Sequence, residues 1–323
     1  MLQKDKIKSE ELLFIIGNGF DMDLGLKTSY KSFVESRYWP CKDRLIPKEE
    51  VDRYDSEECL HDVLHENTTA KSWYDLEAIL AEYATIQRGY KPGQGISDNM
   101  KNRAEQDRVV YNKIIQSLTT YLSKIQKNKL IDNSMAAILL GVLVNSNFNI
   151  KIYTFNYTDL SSFATKLGIS QPLDVTYMHG SLNDGIILGI ESNMDFFPPY
   201  RYMCKEYSPH YQSRNLSNEL HNAKHIVIFG HSLSPIDYHY FQRFFHEQSR
   251  ENMTDADKKH ITIFTYNEES AWDIRDQLRF MNNKRLDLLY GQNIFNIIRT
   301  DGSDIDKFSQ FCRSIHERED FYR

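Results

Sequence analysis

Four short segments set glycines and polar side chains directly behind apolar runs. Gly17-Asn18-Gly19-Phe20-Asp21 follows Leu12–Ile16, and Asn156-Tyr157-Thr158-Asp159 follows Ile150–Phe155. His179-Gly180-Ser181 follows Val175–Met178, and Gly230-His231-Ser232-Leu233, with Asp237 beyond, follows His225–Phe229. Lacking a Cβ, Gly17 and Gly19 can bring backbone N–H groups against a pyrophosphate. The same pair also serves a tight strand-to-helix turn with no ligand. Asp21 contacts a ribose or caps the next helix. Asn156 both donates and accepts, so it can hold a ribose hydroxyl or a water, or it can close an Asx-turn. Thr154 and Tyr157 flank it as further candidate contacts. His179 is a candidate general base near neutral pH, or a hydrogen-bonded structural histidine. His231 and Ser232 suit the ribose or adenosine side of a dinucleotide. Asp237 follows Pro235, and in the first turn of a helix an acid is favoured by the dipole whatever its function. Trp73 and Glu77 are weaker candidates, because a Trp at a helix start is usually core.

Elements must hold these segments in place. Leu12–Ile16 is a continuous apolar run closed by glycine, which predicts a central parallel strand buried on both faces. Further strands are predicted at Ile150–Phe155, Val175–Met178, Ile186–Gly189, His225–Phe229, Ile261–Tyr266 and Ile294–Arg299. Helices are predicted at Lys27–Trp39, from an N-cap at Ser72, over Ala104–Lys127 and Asp132–Val144, near Leu160–Leu167, and at Ser303–His316. Lys91–Asn99 reads as a loop, and Asp195–Ser213, aromatic and Pro-containing, as a loop able to cover a site. Strands alternating with helices imply an α/β, Rossmann-like, doubly wound, mostly parallel sheet. The core is expected over residues 1–40 and 148–323, with residues 41–147 as a helical insertion. In such sheets ligands bind outside the carboxyl ends of the strands, which is where the four segments fall.

Composition excludes several alternatives. A net charge of −6 over 323 residues gives no electrostatic footprint for nucleic acid. The four cysteines, Cys41, Cys59, Cys204 and Cys312, form no C-x-x-C pair and predict neither a zinc module nor a disulfide framework. Met1–Glu11 lacks an apolar signal core, and the apolar run Met135–Val144 is too short for a membrane span, which needs ~20 residues. A cytoplasmic protein is expected. No nucleophile elbow or Walker A loop is present. His61 and His65 have metal-like spacing but no second ligand cluster, so no metal is expected.

The order GNGFD, TFNYT, HGS and FGHSL with a following Asp resembles the AbiH family of bacteriophage abortive-infection proteins. Gly25-Leu26-Lys27-Thr28-Ser29-Tyr30 and Trp73-Tyr74-Asp75-Leu76-Glu77 extend the likeness over nearly the whole chain. That family is in turn similar to the SIR2-like group. There Gly17-Asn18-Gly19 stands in place of the G-A-G loop, Asn156 matches the motif asparagine, His179-Gly180 the H-G pair, and Gly230-His231-Ser232 the G-T-S loop. The resemblance implies NAD+ as substrate, with Asn156 and His179 as the catalytic pair of an NAD+ hydrolase. Two departures bear on this. Thr158 stands where the group has an acid, with Asp159 one place later, and the four-cysteine zinc module is missing. The first bears on the ribose contact that acid makes in the group; the second points away from deacylation and toward simple cleavage of NAD+. By analogy, a homo-oligomer and a phage-derived trigger are expected. A nucleotide-sensing module without turnover and a nucleic-acid-targeting toxin are the alternatives.

Overall fold

The computed structural model describes residues 11–45, 59–68, 73–86, 95–191, 196–211 and 215–316. Contacts divide the chain into two compact units. One holds Met1–Leu26, Lys129–Met178 and Arg214–Arg323; the other holds Lys27–Asn128 and His179–Ser213.

The first unit is built on six strands: β1 (Glu11–Ile16), β2 (Asn149–Thr154), β3 (Val175–Tyr177), β6 (His225–Phe229), β7 (His260–Thr265) and β8 (Ile294–Arg299). They form one sheet of order β3-β2-β1-β6-β7-β8, and every pair in it is parallel. The expected mostly parallel sheet is thus parallel throughout. β1 is central, as its unbroken apolar run requires, and residues 12–16 are buried. Alternation divides its side chains between two layers. Leu13 and Ile15 join Ile226, Ile228, Ile261 and Ile263 in an aliphatic layer roofed by Phe241, Phe244 and Phe245. On the other face Phe14 meets Phe20 edge-on, Phe20 meets Phe229, and Phe229 stacks on Phe264 at 5.4 Å.

Several sequence expectations are corrected. The helix after β1 starts at once, as Asn18–Asp23, and the next is only Tyr30–Val34. Ser29 caps the latter by accepting from the Ser32 N–H. The expected strand at Ile186–Gly189 is not formed: Ile186 alone joins the second arm of a small antiparallel ribbon, β4 (Gly180–Ser181) with β5 (Gly185–Ile186), which belongs to the second unit. The Ser72 cap and residues 91–94 of the expected loop lie outside the described residues, as do residues 1–10.

The second unit is helical apart from that ribbon: Leu60–Glu66, Trp73–Ile86 and Asp98–Ile125 are its larger helices. Asp107 ties them together. Its carboxylate accepts from the Leu60 N–H and from the hydroxyls of Tyr83 and Tyr200. The segment expected as a covering loop carries two 3-10 turns, Pro198–Met203 and Lys205–Tyr207, with Tyr200, Met203 and Cys204 buried. Phe197 and Tyr200 therefore belong to the core, while Tyr207 is exposed. Among the described residues no helix is long and apolar enough to cross a membrane.

Candidate functional site

Chain direction reverses in sheet order between β1 and β6, and the loops that leave these two strands meet there. The Gly17 N–H donates to Phe229 O and the Gly19 N–H to Gly230 O, both at 2.9 Å. A Cβ on Gly19 would come within 2.6 Å of Gly230 Cα, and one on Gly17 within 2.5 Å of His231 Cα. Gly230 itself has φ +65, the left-handed region that glycine occupies without cost. These glycines are thus required by loop-on-loop contact. Their two N–H groups bind protein, so the pyrophosphate expected to meet them finds both already engaged. Asn18, half-buried, is the remaining residue of the Gly17–Gly19 turn.

Phe20 is fully buried in the aromatic layer. Asp21 points the other way, into a polar knot. Its carboxylate accepts from Asn156 Nδ2 at 2.8 Å and from the Thr158 hydroxyl at 2.7 Å. Asn156 Nδ2 also donates to Gly17 O at 3.1 Å, and the Asn156 N–H reaches the hydroxyl of buried Thr154. Both amide protons of Asn156 are thereby engaged, and its carbonyl oxygen is the polar atom left to it. Burial without a cation pushes Asp21 up to about 7, against the opposing pull of the two donors. Thr158 acquires a physical reason here: an acid in its place would set a second carboxylate against Asp21. Asp159 caps the next helix by accepting from the Ser162 N–H. Tyr157 is half-buried.

The β6 loop is closed by His231. The Leu233 N–H donates to its Nδ1 at 3.0 Å. The proton therefore sits on Nε2, 3.4 Å from Asp237 Oδ2, which also accepts from the Ser234 hydroxyl. The ring packs edge-on to Phe155 at 4.2 Å. Leu233 is fully buried at φ +51, a conformation that a branched side chain adopts only when held there. His231, expected to reach a ribose, holds this turn with both ring nitrogens. Asp237 ends the 3-10 turn Pro235–Asp237 just before the helix Tyr238–Glu247. Ser232 is exposed.

His179 belongs to the second unit, in a buried charge cluster there. Lys205, 2% exposed, pairs with Glu77 Oε1 at 3.0 Å and Glu191 Oε1 at 2.7 Å, and its Nζ lies 3.4 Å from His179 Nε2. Glu77 also accepts from the Gly189 N–H. Burial, with Glu77 nearby, pushes the Tyr111 phenol up. Lys205 and Glu191 carry no sequence signal, since the partners are 128 residues apart at the extreme. Glu77 was visible only through the Trp73–Glu77 segment. His61 and His65 face Asp62 and the Cys41 carbonyl oxygen.

The strand order and the closed loops at its crossing define a Rossmann-like α/β protein. Residues 13–256 match the family model described as bacteriophage abortive infection AbiH. That is most of the chain, and the protein belongs to this family, whose description is of bacteriophage abortive infection. No curated protein matches it.

Proposed function

We propose that this AbiH-family protein acts in abortive infection by hydrolysing NAD+ at the N-glycosidic bond. The observation that supports the reading most is the convergence of three strand ends, after β1, β2 and β6, at the crossing of a doubly wound sheet, where ligands of such sheets bind. The SIR2-like resemblance of the segments supplies the chemistry. Nicotinamide leaves as a neutral group from a cationic ring, so little acid help is needed, and the transition state has oxocarbenium character like that of glycoside hydrolysis. In this reading the turn at Asn18 meets the pyrophosphate, and the Asn156 carbonyl oxygen orients the ribose or the attacking water. By the resemblance, His179 is the general base, taking a proton from water or a ribose hydroxyl. The reading carries a cytoplasmic location, a phage-derived trigger and neither metal nor nucleic acid.

Incubation of the purified protein with NAD+ tests it, with nicotinamide release as the readout. Release is expected from the wild type and its loss from His179→Ala. Equal rates under every activating condition overturn the assignment. One observation favours a second reading, a nucleotide sensor without turnover: Asn156 has both amide protons bound inside the protein, as a support for the loop does. Calorimetry separates the two, since a sensor binds NAD+ or ADP-ribose and leaves it intact.

A further inference from the structure

The cluster in the second unit poses a question of proton position. Lys205 is nearly inaccessible and flanked by two carboxylates, so it is an ammonium: a neutral amine would leave two charges buried with no cation. An ammonium has three donors and no acceptor. Its Nζ lies in ion-pair range of Glu77 and Glu191 and is hydrogen-bonded to His179 Nε2 at 3.4 Å. A ring nitrogen turned to an ammonium must offer a lone pair.

We propose that Lys205 is a positioning residue for His179, holding the imidazole neutral with its proton on Nδ1. The anchor comes from two further places in the chain. Glu77 lies in the helix Trp73–Ile86 and is itself fixed by the Gly189 N–H, and Glu191 follows two residues later. The carboxylates aim Lys205, and Lys205 aims and neutralises His179. Without the ammonium, Nε2 loses the donor that keeps it unprotonated, while a carboxylate oxygen of Glu191 lies within 4.8 Å of a ring nitrogen and favours a proton there. The bearing of this tautomer on catalysis rests on the hydrolysis reading: there Nε2 takes a proton only once the ammonium has turned away from its lone pair, so Lys205 sets when His179 is a base.

The test is the ¹⁵N spectrum of the His179 ring in the full chain at neutral pH, assigned by comparison with His179→Gln. The wild type is expected to show an unprotonated Nε2 and a protonated Nδ1. Lys205→Met is expected to shift Nε2 to the protonated form, a change that a merely structural lysine would not produce. A protonated Nε2 in the wild type overturns the proposal, and so does an Nε2 that stays unprotonated in Lys205→Met. If that variant does not fold, Glu77→Gln/Lys205→Met removes one charge of each sign and carries the same readout. No NAD+ turnover is needed. Silence in the nicotinamide assay therefore defeats only the hydrolysis reading, and a wrong tautomer defeats only this one.

Discussion

The two units bury acids in opposite ways. In the first, Asp21 lies among neutral donors, the amide of Asn156 and the hydroxyl of Thr158, with no cation against it among the described residues. In the second, Glu77 and Glu191 share the ammonium of Lys205. A carboxylate removed from water must be neutralised by a proton or by a counter-charge. Asp21 takes the first route, which is why its pKa climbs to about 7, and the glutamates take the second. The difference teaches what each site responds to. The first is sensitive to pH, the second to loss of a single side chain.

Removing the cation should produce the largest effect. Lys205→Met strands two buried carboxylates, and a loss of about 3–5 kcal/mol is expected by urea denaturation. A change of under a kilocalorie would mean that water, and not Lys205, compensates the glutamates. Next comes the pH response of Asp21. Its folded pKa is raised above the ordinary 3.8, so its contribution is fully present below that value and is lost as pH rises to about 7. Against Asp21→Asn, the wild type should lose about 1.4 kcal/mol per pH unit across that window and level off above it. Parallel melting curves of the two proteins from pH 4 to 7 would contradict the contrast. Gly19→Ala should cost about 1–3 kcal/mol, since the new methyl meets Gly230 Cα and backbone must give way. A neutral result would show that the loops part readily. The smallest effect is expected at the exposed Arg243–Glu247 pair, where Arg243→Ala should change stability by about 0.3–0.5 kcal/mol.

Much of the fold was legible because the parallel strands are apolar on both faces and each is bounded by glycine or polar residues. Six of the seven expected strands lie in one sheet. The seventh misled because Ile186–Gly189 is apolar without being long enough to cross it. The short helix Asn18–Asp23 was not legible, for Gly-Asn-Gly reads as a turn until Phe20 is seen to be core. At the candidate site, the meeting of the β1, β2 and β6 loops followed from topology alone. The roles inside it did not. That His231 braces Leu233, and that Thr158 donates to Asp21, depends on contacts across 2 and 137 residues. The Lys205 cluster was invisible because ion pairing over such separations leaves no local pattern.

The place of β1 in the sheet has a consequence for how the chain is made. Of the six strands of its sheet it is the first to be made, yet its partners are Asn149–Thr154 on one side and His225–Phe229 on the other. A stretch of five buried apolar residues must therefore wait until Asn149–Thr154 is made before one edge is covered, and until His225–Phe229 for the other, and long-range parallel pairing is slow even then. During that interval the unpaired strand is a template for other chains. The nascent protein should depend on chaperones, and fragments that end before residue 225 should aggregate when expressed alone.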